Sequence, residues 1–88
     1  MSHPHSSIVT VYGTGNCPFC VMAKRLLAGK GVQPAEINVG ADQALLVEMM
    51  TRSGRRTVPQ IFIGERHVGG YDDLLALERT GQLDALLA

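Results

Sequence analysis

Residues 8–12 are β-branched or aromatic throughout and predict a strand. The cluster Gly13-Thr14-Gly15-Asn16 breaks the run, and residues 18–30 return to a helix-forming composition that Gly29 and Gly31 bring to an end. Residues 35–39 read as a second strand, so the opening part of the chain predicts a βαβ unit. Over residues 41–52, Leu45, Met49 and Arg52 share one helical stripe with Leu46 and Met50 beside it, an apolar surface expected in the core. Residues 60–63 and 66–68, separated by Gly64-Glu65, predict a short hairpin. Helix is expected again over 72–78 and in a last turn near 83–87. The predicted order is therefore β, α, β, α, β, β, α, an α/β chain with one domain over residues 8–88 and a disordered polar tail over residues 1–7.

Composition narrows the function classes. A chain of 88 residues supports one compact core, and a hydrophobic content of 45% suffices to build it. Eight basic against eight acidic residues leave no net charge, which argues against nucleic acid or an anionic membrane as a principal partner. Small thiols or other proteins are the expected partners, met by a monomer. The first seven residues lack the apolar centre of a signal peptide, and no run approaches membrane-spanning length, so a cytoplasmic setting is expected.

Both cysteines of the chain fall in Cys17-Pro18-Phe19-Cys20, at the handover from the first strand to the first helix. Pro18 suits the first helical position, since its φ is already helical and the N–H it lacks would have had no partner. Cys17 then becomes the N-cap, where unpaired backbone N–H groups and the positive end of the helix dipole favour thiolate over thiol. Residues three apart on a helix have Cβ atoms about 5 to 6 Å apart, and a disulfide wants about 3.5 to 4.5 Å, so a small adjustment closes the bond. A structural role is disfavoured, because so short a loop constrains the unfolded chain little. Zinc would need two further ligands, and the histidines supply no close pair beyond His3 and His5; no metal is expected. In a reducing compartment the pair points to a transient, catalytic disulfide.

Two further segments carry chemistry. Pro59 stands at a strand start, where a missing N–H is tolerated. Gly69-Gly70 permits a tight turn, Asp72 or Asp73 can cap the helix that follows, and a helix N-terminus beside glycines can receive an anion. Arg55 and Arg56 stand between the second helix and Thr57 as candidate carboxylate partners, with a solvated pair as the alternative.

Together these residues resemble the glutaredoxins. Cys17-Pro18-Phe19-Cys20 is similar to their Cys-Pro-Tyr-Cys site, Thr57-Val58-Pro59 to their Thr-Val-Pro segment, and Gly69-Gly70-Tyr71-Asp72-Asp73 to their Gly-Gly-x-Asp-Asp segment. The resemblance implies a thioredoxin-like fold, a four-stranded mixed sheet flanked by helices, with glutathione as the reducing cofactor. It implies Cys17 and Cys20 as the catalytic pair and a cis Val58-Pro59 bond. Glutathione would meet Thr14, Phe19, Arg56, Thr57, Val58, Pro59, Gly70, Tyr71 and Asp72. Its γ-glutamyl carboxylate would rest on the backbone of Gly70, Tyr71 and Asp72. The chain departs from the family at Thr14, where many members carry a lysine, at Phe19, where tyrosine is usual, and at Tyr71, where a smaller residue is common. The implied activity is reduction of protein disulfides and glutathione mixed disulfides. Two alternatives stay open: a redoxin reduced by thioredoxin reductase and serving ribonucleotide reductase, and a carrier holding an iron-sulfur cluster between two subunits.

Overall fold

A computed structural model describes residues 8–88; the tail expected over residues 1–7 lies outside them. Strands β1 (Val9–Gly13), β2 (Ala35–Asn38), β3 (Gln60–Ile63) and β4 (Arg66–Gly69) form one sheet in the order β2-β1-β3-β4. β1 is parallel to β2 and antiparallel to β3, and β4 is antiparallel to β3. The parallel pair needs a long crossover, supplied by helix α1 (Pro18–Gly29), whereas β3 and β4 need only the tight turn at Gly64-Glu65.

Period-two alternation on the central strands sends side chains to opposite faces and sorts the helices between them. Val9, Val11, Ile61 and Ile63 pack with Ala23 and Leu27 of α1, with Leu74 of α3 (Tyr71–Arg79), and with Leu83 and Leu87 of α4 (Gln82–Leu87). Tyr12 and Phe62 point the other way and meet Val39 and Met49, the latter on α2 (Gln43–Ser53). The expected Leu and Met stripe of α2 is core, with Met49 fully buried and Leu45, Leu46 and Met50 packed around it. Across the first face, the Lys30 ammonium bridges Glu78 at 2.6 Å and Asp84 at 2.9 Å, joining the end of α1 to α3 and α4.

Several element ends differ from expectation, each for a local reason. α2 begins after Asp42, whose carboxylate accepts from the Ala44 N–H at 2.9 Å, and ends at Gly54 in the left-handed conformation. α3 starts at Tyr71, because Gly70 is its N-cap; neither Asp72 nor Asp73 takes that position. Asp73 instead reaches back from the first turn to accept the Gly70 N–H at 2.9 Å.

Candidate active site

Register brings three separate segments to one end of the sheet. Tyr12 pairs with Gln60, so the end of β1 adjoins the start of β3, and the Cys17 loop comes to lie beside Val58-Pro59. On the far side of β3, Ile61 pairs with Gly69 across a register shift, and Gly69 takes φ +119° as the chain turns into α3. A Cβ at Gly69 would fall on the Asp73 carboxylate, so glycine is required there on both counts.

Cys17 is the N-cap of α1 in extended conformation, with Pro18 directly behind it. The Cys20 N–H points at the Cys17 Sγ from 3.1 Å, the expected arrangement of a helix terminus aimed at sulfur. Cys17 and Cys20 are joined by a disulfide. Exposure separates their roles: Cys17 is half-buried, whereas Cys20 is 1% exposed and faces inward. β1 approaches Cys20 so closely at Gly13 that a Cβ there would stand 2.9 Å from the Cys20 sulfur. The Val58-Pro59 bond is cis, and the Val58 carbonyl oxygen lies 3.8 Å from the Cys17 sulfur.

A cleft of about 220 Å³ opens against these groups, lined by Phe19, Arg55, Thr57, Val58, Pro59, Gly70, Tyr71, Asp72 and Asp73. Of the residues assigned to glutathione from sequence, Phe19, Thr57, Val58, Pro59, Gly70, Tyr71 and Asp72 meet here. The Phe19 and Tyr71 rings stack with centroids 6.1 Å apart and form an apolar wall, while the start of α3 supplies backbone N–H groups. Thr14 and Arg56 are not among the residues lining the cleft. Arg55 is, with its guanidinium 3.1 Å from Asp73. The Gly70 N–H and then the Arg55 guanidinium hold the Asp73 carboxyl below the usual carboxylate range.

Thr14 lines a second cleft, of about 290 Å³, together with Cys20, Lys24, Glu36 and Asn38. This cleft is the larger, yet it shares no lining residue with the first and touches only the buried cysteine. The chemistry therefore belongs to the smaller one, whose Val58 wall lies against the half-buried Cys17 sulfur and which the start of α3 borders. Lys24 is paired with Glu36 at 3.0 Å on the outer side of α1.

Gln60 and His67, to which the sequence alone gives no role in the site, are brought together by the fold. Gln60 is fully buried and donates to the Thr57 carbonyl oxygen at 3.0 Å, and its Oε1 lies 2.7 Å from His67 Nε2. Burial lowers the His67 pKa, with the nearby Arg55 charge acting in the same direction. The available signal was a lone polar residue in the otherwise apolar run that follows Pro59.

A redox-active cysteine pair at a helix start, beside a cis-proline loop at one end of a four-stranded mixed sheet, defines a thioredoxin-like thiol-disulfide oxidoreductase. The glutaredoxin family model matches residues 9–68. A glutaredoxin of Pseudomonas aeruginosa is 54% identical over 80 residues, covering 91% of this chain and 95% of that protein. Among solved structures, the Brucella melitensis glutaredoxin is 53% identical and superposes with a TM-score of 0.81, covering 97% of this chain and 94% of that one. A buckwheat glutaredoxin-glutathione complex, 29% identical, superposes with a TM-score of 0.84 over 94% of this chain and 78% of that one. The chain belongs to the glutaredoxin family.

Proposed function

We propose that this thiol-disulfide oxidoreductase is glutathione-dependent, reducing glutathionylated proteins and protein disulfides. The observation that carries the reading is the cleft beside Cys17, where an extended-peptide docking edge at Val58 and an anion-receptive helix start at Gly70 flank the reactive sulfur. A γ-glutamyl tripeptide fits that set. Its backbone can pair with Val58, its γ-glutamyl carboxylate can meet the N–H groups at the start of α3, and Arg55 can receive the other carboxylate. Structural likeness to a glutaredoxin-glutathione complex supports the assignment.

In the first step the Cys17 thiolate attacks the glutathione sulfur of a mixed disulfide. A Cys17-glutathione disulfide forms, and the target protein leaves as a thiolate that takes up a proton. A second glutathione thiolate can then attack the bound glutathione sulfur, releasing glutathione disulfide and restoring Cys17. Alternatively the Cys20 thiolate attacks the Cys17 sulfur, closing the intramolecular disulfide and releasing glutathione. The Cys20 N–H stabilises charge on Cys17 each time that sulfur leaves. Ribonucleotide reductase is one candidate protein disulfide, and a transient disulfide suits work in the cytoplasm.

The test is turnover of a glutathione mixed disulfide with glutathione, NADPH and glutathione reductase, run beside NADPH with thioredoxin reductase. Saturable turnover in the first system with little in the second is expected. The reverse pattern would assign the protein to the thioredoxin reductase system instead.

A further inference from the structure

Gln60 is the sole polar residue of β3 and is 0% exposed. Its carboxamide is fully engaged: Nε2 donates to the Thr57 carbonyl oxygen at 3.0 Å and reaches Thr57 Oγ1 at 3.3 Å, while Oε1 meets His67 Nε2 at 2.7 Å. The Thr57 carbonyl oxygen only accepts, so the amide Nε2 must face it; Oε1 is left facing His67, and His67 Nε2 carries the hydrogen of that contact. The His67 ring is itself packed against Phe62, with centroids 4.9 Å apart. Burial lowers the His67 pKa and so favours the neutral ring, for which this contact requires the Nε2–H tautomer.

The consequence falls on the next peptide group. In a trans peptide the C=O and N–H point in opposite directions, and of the bonds near the site only Val58-Pro59 is cis. Drawing the Thr57 carbonyl inward onto Gln60 therefore turns the Val58 N–H outward, where no described residue accepts from it. Thr57 and Val58 both line the cleft beside Cys17. A backbone donor left free at a docking edge is what an extended peptide pairs with, and the direction of this one is set from behind by a buried side chain.

We propose that Gln60, oriented by His67, is the positioning residue that aims the Val58 N–H at the backbone of a bound γ-glutamyl tripeptide, and so sets the preference for glutathione disulfides over small disulfides without a peptide backbone. The inference rests on the glutathione-dependent reading above. Gln60 touches neither the reacting sulfurs nor the substrate, so it governs binding rather than the exchange step.

Gln60→Met keeps nearly the same side-chain shape and removes the donor. Reduced protein is mixed in stopped flow with glutathione disulfide or with bis(2-hydroxyethyl) disulfide, each of which takes two electrons from the cysteine pair and leaves as two thiols. Wild type should react with glutathione disulfide saturably and in preference to the hydroxyethyl compound. In Gln60→Met the concentration giving half-maximal rate with glutathione disulfide should rise roughly three- to tenfold, as for one lost hydrogen bond. Its maximal rate, and the rate with the hydroxyethyl disulfide, should stay within about twofold. Equal losses with both substrates would show a merely structural role, and no change with either would also overturn the inference. A wild type without preference for glutathione disulfide would overturn the glutathione reading and this inference together. Should Gln60→Met fail to fold, two measurements remain. His67→Phe should lose preference in the same direction, and the wild-type Val58 amide resonance should shift on titration with S-methylglutathione; absence of either effect would overturn the proposal.

Discussion

Cys17 and Cys20 stand three residues apart yet do different work, because the helix start leaves one half-buried and turns the other fully inward. Cys17→Ser should abolish every thiol-transfer activity, whereas Cys20→Ser should keep deglutathionylation and lose most protein-disulfide reduction. Turnover with one substrate of each kind decides the matter, and equal losses in the two variants would contradict the assigned roles. Gly13 sets how closely the sheet approaches the inner sulfur, since a Cβ 2.9 Å from Cys20 Sγ is closer than side chains tolerate. Gly13→Ala should displace Cys20 and slow closure of the intramolecular disulfide several-fold while sparing the first attack by Cys17. Rapid-quench trapping of the mixed disulfide would reveal it as a longer-lived intermediate; an unchanged lifetime would mean that the strand gives way instead.

Among the elements, α3 matters most for binding, and its start is held by one carboxylate that accepts the Gly70 N–H and pairs with Arg55. Asp73 has a lowered pKa in the folded chain, so its contribution is complete above the ordinary carboxylate range near about pH 4 and is lost as pH falls through the lower folded value. Asp73→Asn should flatten the acid limb of stability in urea titrations between about pH 2 and pH 5. An acid limb as steep as that of the wild type would assign the proton uptake to another group. On the opposite face, α2 is tied to the sheet by the buried Tyr12 hydroxyl, which donates to Glu48 at 2.6 Å and accepts from Arg52 at 2.7 Å. The Arg52 guanidinium also lies over the Phe62 ring, 4.1 Å from its centroid. Tyr12→Phe should cost about 1 to 2 kcal/mol, read from the denaturation midpoint, because both hydroxyl partners are charged. A loss of a few tenths would mean that Glu48 and Arg52 pair directly once the hydroxyl is gone.

For the molecule as a whole, stability comes from two cores on either side of one sheet, and the last helix belongs to that cooperative unit. α4 has six residues, too few for a helix to persist alone, and it is held through Leu83 and Leu87 in the core beneath α1 and α3. Leu83→Ala should therefore destabilise the entire domain by about 2 to 5 kcal/mol in a single transition seen by all probes. A separate early transition for the C-terminus would instead mark α4 as an independent appendage.

The order of elements was legible in the sequence because alternation on the strands and the Leu and Met stripe of α2 report local periodicity, and burial followed that periodicity. Cys17-Pro18-Phe19-Cys20 was legible for the same reason: N-cap, first helical position and one-turn spacing are all local relations. What lay beyond the sequence was non-local. Asp72 and Asp73 both looked like caps, and the backbone at Gly70 took the position instead, with Asp73 reaching back to it. Arg55 rather than Arg56 lines the cleft, and Thr14 lines a different one, because sheet register and the turn at Gly69 decide which neighbours in sequence share a wall. Gln60 drew no attention as one polar residue in an apolar strand. Its meaning arose only when β3 was paired with β4 and His67 came within hydrogen-bonding distance, for a buried carboxamide is defined by partners that the fold brings from elsewhere in the chain.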